Sequence, residues 1–183
     1  AIRNAGRILQ EGGAGAVKME GGEHMAETTR QIVQCGIPVM GHIGLTPQSV
    51  HQLGGYRVQG KTAKTASKLF RDAQALEDAG VFSIVLESVP APLSRLITER
   101  LSIPTIGIGA GPHCDGQVQV LHDFMGMFPD FRPKHAKRFA SVADILKDAT
   151  SRYVKEVQSG AFPSEKESFT MDESILLELM AQR

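Results

Sequence analysis

The sequence predicts an α/β chain of successive strand–helix units, wound as part of a (β/α) barrel or, alternatively, as a doubly wound sheet. Three observations lead there. Short apolar runs alternate with longer amphipathic segments, as parallel strands and their covering helices do. Nearly every apolar run ends on an ionisable residue or a glycine loop. The chain also echoes itself: aligning Gly13 with Gly80 sets "GAGAVKME" over "GVFSIVLE" and Glu20 over Glu87. In each copy an Ile-Pro pair opens the next strand, in "IPVMGHIG" and "IPTIGIGA". Repeated units without a dinucleotide fingerprint favour the barrel.

The elements follow in order. Ile2, Ala5, Ile8 and Leu9 fall at helical spacing, and Gly12-Gly13 stops that helix. Residues 15–20 read as a strand, 23–34 as a helix with Met25, Ile32 and Val33 apolar, and 37–43 as the second strand. The stretch 44–60 is rich in turn formers; connections of that length are commonly functional. Ala66, Leu69, Phe70, Ala73 and Leu76 make 61–78 an amphipathic helix. A strand over 81–87, a helix over 90–101 and a strand over 103–109 come next. Residues 117–123 are predicted as a short fifth strand, and 133–159 as mostly helical up to Gly160. "DESILLELMAQR" suits a terminal helix that packs through Ile175, Leu176, Leu179 and Met180 on the body or on another subunit.

Bulk properties exclude some classes. The 183 residues suffice for one domain with a core. Lys+Arg and Asp+Glu are both 20, and this balance argues against a nucleic-acid or anionic-membrane partner. No apolar run approaches the roughly 20 residues of a membrane-spanning helix. Cys35 and Cys114 lack CxxC spacing and read as buried thiols of a reducing compartment. The sequence opens on Ala1 already in a helical pattern, so an N-terminal part is expected to have been lost.

The strand ends hold the candidate chemistry. Lys18 and Glu20 are two apart, so one strand face presents both. His42 ends the second strand, Glu87 and Ser88 the third, and a glycine loop with Asp115 the fourth. That loop reads Gly107-x-Gly109-x-Gly111, not G-x-G-x-x-G. It fits backbone approach to an anionic ligand, or tight turning, better than a nucleotide site. Blander roles exist for each residue: an ion pair for Lys18 and Glu20, a helix cap for Glu87, a hydrogen-bonded structural histidine. Four ionisable groups converging on one barrel mouth cost stability unless they pair or bind ligands, which favours function. A carboxylate on an otherwise apolar strand is partly desolvated and becomes a better proton acceptor, which makes Glu87 the candidate base. Glu20 is a hard oxygen ligand suited to Mg²⁺, and Lys18 can neutralise a carboxylate. The set suits enolisation of a 2-oxo acid.

Longer motifs sharpen this. "VKMEGGE" (17–23), "GHIGLTPQSV" (41–50), "GGYRVQG" (54–60), "VLESVP" (85–90), "IPTIGIGAGPHCDGQVQVLHD" (103–123) and "EVQSGAFP" (156–163) together resemble the ketopantoate hydroxymethyltransferase family of pantothenate and coenzyme A biosynthesis. The resemblance implies a (β/α)8 TIM barrel of the phosphoenolpyruvate-pyruvate type. Of that barrel, 1–169 would be the C-terminal portion, truncated to about five β/α units, and 170–183 a tail. It implies hydroxymethyl transfer from 5,10-methylenetetrahydrofolate to 3-methyl-2-oxobutanoate with Mg²⁺. By motif, Lys18 and His42 would bind substrate, Glu20 would belong to the metal site, and Glu87 would be the catalytic base. The 44–60 loop would close over the site, with Tyr56 and Gln59 as lesser contacts. Members form homo-oligomers, decamers in the family; they are cytoplasmic in bacteria and often mitochondrial in eukaryotes. Family chains place three further strands before "VKMEGG", with two metal-binding aspartates and a substrate-binding serine. Their absence here predicts an open sheet and little or no turnover by this polypeptide alone. A non-catalytic remnant that joins full-length subunits, or a related 2-oxo acid lyase, is the alternative.

Overall fold

Five parallel strands lie side by side in chain order in a computed structural model, which describes residues 1–182. They are β1 (Val17–Glu20), β2 (Val39–Gly44), β3 (Ser83–Glu87), β4 (Thr105–Ile108) and β5 (Gly116–Gln117). Each pairs in parallel with its predecessor, and β1 and β5 are the two edges. A doubly wound sheet reverses its strand order at a switch point. This sheet winds one way throughout, as the barrel prediction requires.

The helices are α1 (Ile2–Gln10), α2 (Ala26–Gln34), α3 (Ala63–Asp78), α4 (Ala91–Arg100), α5 (Leu121–Phe124), α6 (Val142–Ser159) and α7 (Glu173–Ala181). The start of α3 is fixed by a capping box. The Thr65 N–H donates to Thr62 Oγ1 at 3.2 Å, and the Thr62 N–H donates to Thr65 Oγ1 at 3.0 Å.

Three expectations need correction. The fifth strand has two residues, and 121–124 forms helix α5 instead. The cause is its neighbour: β4 stops at Ile108, and Gly109 turns left-handed, so nothing remains to pair with beyond Val118. Residues 133–141 are not helical. The Phe139 and Val142 N–H groups bond instead to the carbonyls of Phe124 and Met125. The thiols are free, but Cys35 is exposed at the end of α2 and Cys114 only partly buried.

The chain divides into two compact units. The first, residues 1–120 with 133–136, holds the sheet, α1–α4 and the core. Strand alternation sends Val39, Gly41 and Ile43 of β2, and Ile84 and Leu86 of β3, to one face. That face meets the helices: a Cβ added at Gly41 would lie 2.9 Å from Leu76 Cδ1 of α3. Ile32 of α2, Leu76 of α3 and Ile97 of α4 are fully buried with it. The second unit, residues 121–132 with 137–182, holds α5–α7. It is organised locally: Tyr153 and Phe162 pack edge-on at 5.6 Å, and the Arg138 guanidinium donates to the Phe128, Pro129 and Phe131 carbonyls. No helix among the described residues is long and apolar enough to cross a membrane.

Candidate functional site

The other sheet face presents the ionisable residues. Glu20 sits in register with His42, His42 with Val85, and Glu87 with Gly44, so Lys18, Glu20, His42 and Glu87 all project from this face. They lie at or near the carboxyl ends of three adjacent strands, where barrel enzymes place their chemistry.

His42 is the hub. Its side chain is 1% exposed, against 11% for Glu20 and 18% for Glu87. Lys18 Nζ lies 3.3 Å from His42 Nδ1, and Glu20 Oε1 lies 3.6 Å from the same atom. On the other side of the ring, Nε2 lies 3.1 Å from Glu87 Oε2. An ammonium group only donates, so Nδ1 accepts and the ring proton sits on Nε2, facing Glu87. That approach lacks hydrogen-bond alignment, and Nε2 is left as a buried polar atom with no bonded partner. Lys18 and Glu20 form no ion pair with each other among the described residues; Lys18 donates to His42 Nδ1, and the Glu20 carboxylate lies beside that atom without a hydrogen bond to it.

The 44–60 loop is tied to these same residues. The Leu45 N–H donates to the Glu87 carbonyl at 2.8 Å, and the Gln59 N–H donates to the Ser88 carbonyl at 2.9 Å. Between those feet, the Gln48 N–H, in a 3-10 turn over Pro47–Ser49, donates to Glu20 Oε2 at 3.0 Å. Gly44 makes the exit possible. Its φ is +95°, and any Cβ there would overlap the Glu87 carbonyl. Tyr56, at 78% exposure, points away into solvent, and the Gln59 side chain bonds the Arg57 carbonyl. Ser88 follows Glu87 at φ +51°, a left-handed conformation unusual for a side-chain-bearing residue. Its N–H donates to the Ile108 carbonyl, 2.8 Å away, so Glu87 is clamped from both directions.

Sequence reasoning missed several supports. Asp72 of α3 is buried; it accepts from the Glu23 N–H at 2.9 Å and pairs with Lys68 at 2.6 Å. It fills the space where a Cβ on Gly22 would stand, which explains why glycine follows "KMEG". The glycine pair in "EGGE" was the available signal. The Gln48 amide had none, since a backbone donor leaves no trace in residue type. Asp115 goes elsewhere: its carboxylate accepts from the Thr105 N–H at 2.8 Å, at the opposite end of β4 from the glycine loop.

A parallel sheet wound in one direction, with a lysine, a histidine and two glutamates around its strand ends, defines the (β/α)-barrel class. Comparison with known proteins narrows that class. The sequence pattern of ketopantoate hydroxymethyltransferase matches residues 1–165. A 3-methyl-2-oxobutanoate hydroxymethyltransferase of Dehalococcoides mccartyi is 62% identical over 179 residues, covering 98% of this chain and 64% of the relative. Its namesake in Carboxydothermus hydrogenoformans is 60% identical over 176 residues, covering 96% and 64%. One from Acetivibrio thermocellus is 54% identical over 178 residues, covering 97% and 63%. The chain belongs to the ketopantoate hydroxymethyltransferase family and spans about 64% of the length of the first of these relatives.

Proposed function

We propose that this chain serves the transfer of a hydroxymethyl group from 5,10-methylenetetrahydrofolate to 3-methyl-2-oxobutanoate, with Glu87 as the base. The observation that supports this best is the buried His42, which joins Lys18, Glu20 and Glu87 into one set. Lys18 has donors to spare beyond His42 and binds the carboxylate end of the 2-oxo acid. Glu87 takes the C3 proton, and its clamped backbone holds the carboxylate in one place. C3 of the resulting enolate forms the new bond to the transferred carbon. Over the whole reaction, methylenetetrahydrofolate, 3-methyl-2-oxobutanoate and water give tetrahydrofolate and 2-dehydropantoate.

A magnesium ion would stabilise the enolate oxygen, and Glu20 is the residue here that would help to hold it. Glu20 Oε2 already accepts from Gln48, and no three His, Cys, Asp or Glu side chains converge on one point among the described residues. The described residues do not make a complete Mg²⁺ site. Self-association, decameric by analogy with the family, is supported by apolar side chains left exposed on α6 and α7, among them Ile145, Tyr153 and Leu177.

The test is a titration of isotope-labelled protein with 3-methyl-2-oxobutanoate, followed by NMR. The His42 ring and the Lys18 ammonium should shift together on saturation. Lys18→Gln should weaken binding at least tenfold, about 1.4 kcal/mol. Unmoved His42 signals at saturating oxo acid would overturn the reading.

A further inference from the structure

One buried charge takes no part in the chemistry proposed above. Asp72 lies on α3 in the same stripe as Leu69, Ala73 and Leu76, all of them buried, where an amphipathic helix ordinarily carries another apolar side chain. Its side chain is 4% exposed. A carboxylate at that depth costs stability unless its oxygens are partnered. Both are: Oδ2 pairs with the Lys68 ammonium at 2.6 Å, and Oδ1 accepts from the Glu23 N–H at 2.9 Å. Lys68 is a neighbour on the same helix, one turn away. Glu23 is not; it belongs to the turn that leaves β1 directly after Glu20.

Only Gly21 and Gly22 separate Glu20 from Glu23, and glycine has more backbone freedom than any other residue. Each is required where it stands. Gly21 has φ +120°, and its N–H donates to the His42 carbonyl at 3.0 Å. A Cβ on Gly22 would overlap the Asp72 carboxyl group. A turn of two glycines does not fix its own path, so the path is set by what holds its ends: the His42 carbonyl at one and the Asp72 carboxylate at the other. We propose that Asp72 is a positioning residue for Glu20. By holding the Glu23 N–H it fixes the glycine turn, and so keeps the Glu20 carboxylate beside His42 and within reach of the Gln48 amide. The proposal rests on Glu20 belonging to the reaction site, and Asp72 acts on that site through the turn.

The test reads hydrogen exchange at single amides of labelled protein. Asp72→Ala should speed exchange of the Glu23 N–H and, with it, of the Gln48 N–H that donates to Glu20 Oε2. Each should rise about 10- to 100-fold, the loss expected for a hydrogen bond to a charged group. The Leu45 and Gln59 amides, which bond the backbone of Glu87 and Ser88, should keep the parent's rates. Asp72→Asn leaves an oxygen in the same place and should restore Glu23 and Gln48 together. Asp72→Ser, whose hydroxyl is too short to reach Glu23, takes the place of the alanine variant if that one does not fold. A Gln48 rate unmoved while Glu23 speeds up would confine Asp72 to its own turn and overturn the proposal. So would a rise at Gln48 shared by Leu45 and Gln59, which marks a general loosening and not a displaced Glu20. The oxo acid titration reads His42 and Lys18 and is independent of these rates: a silent His42 there overturns the reaction site, while the amides alone decide whether Asp72 holds Glu20.

Discussion

At the scale of residues, the surroundings of His42 are what the structure adds. The sequence reading places it near substrate, and its side chain, 1% exposed, lies between the Lys18 ammonium at 3.3 Å and the Glu87 carboxylate at 3.1 Å. Its Nδ1 faces the first and its Nε2 the second. The imidazole should therefore show the ¹⁵N pattern of the Nε2–H tautomer. An Nδ1–H ring would mean that Lys18 does not donate to it. Glu87→Gln should bind 3-methyl-2-oxobutanoate within about threefold of the parent, since the amide keeps the shape. Its exchange of the C3 proton with D2O should fall roughly 10²–10⁴-fold, the usual contribution of a general base. Undiminished exchange would remove Glu87 from that role. Residue types and their shared face were legible in the sequence, because strand periodicity fixes which side chains point together. The burial of His42 was not, because it depends on Lys18, Glu20 and Glu87 closing around the ring from two other strands.

At the scale of elements, legibility follows how local the cause is. The start of α3 lies in its own Thr62 and Thr65. The length of β5 was hidden because a strand ends where its neighbour does. The exit of β2 is of the second kind: Gly44 looks like a turn former, but it is fixed by the Glu87 carbonyl one strand away. Gly44→Ala should cost more than the ~1–2 kcal/mol of a left-handed residue alone, because the methyl also meets that carbonyl. A urea midpoint unchanged from the parent would contradict this. The caps of the second unit carry a pH dependence. The Ser164 hydroxyl and N–H donate to Glu167 and hold its carboxyl below the ordinary range; the Ser174 hydroxyl and N–H do the same for Asp172. A carboxyl lowered by folding stabilises its cap above the unfolded group's titration range, and that support is lost as pH falls through the folded value. The Ser164, Lys166 and Ser174 amides should thus hold steady at neutral pH and move together in acid, below about pH 4. Movement centred near neutrality would assign the change to other groups.

At the scale of the whole molecule, the two units differ in what holds them. Every buried apolar side chain among the described residues belongs to the first unit. None of the side chains of α5, α6 or α7 is buried. Isolated helices draw little stability from propensity alone and most of it from a packed face. The 18 residues of α6 are long enough to be partly helical unaided, but Ile145, Leu146, Val154 and Val157 stay open to water. The sequence reading made this segment helical up to Gly160; no pattern within one chain reveals whether a second copy covers its apolar side chains. Hydrogen exchange separates the two situations. In dilute, monomeric protein the β2 and β3 amides, backed by Val39, Ile84 and Leu86, should exchange orders of magnitude more slowly than those of α6 and α7. Raising the protein concentration should slow α6 in step with the rise in sedimentation coefficient, while β2 and β3 stay as they were. If α6 matched β3 in the monomer, packing within one chain would already supply the missing partner, and the case for self-association through that helix would fail.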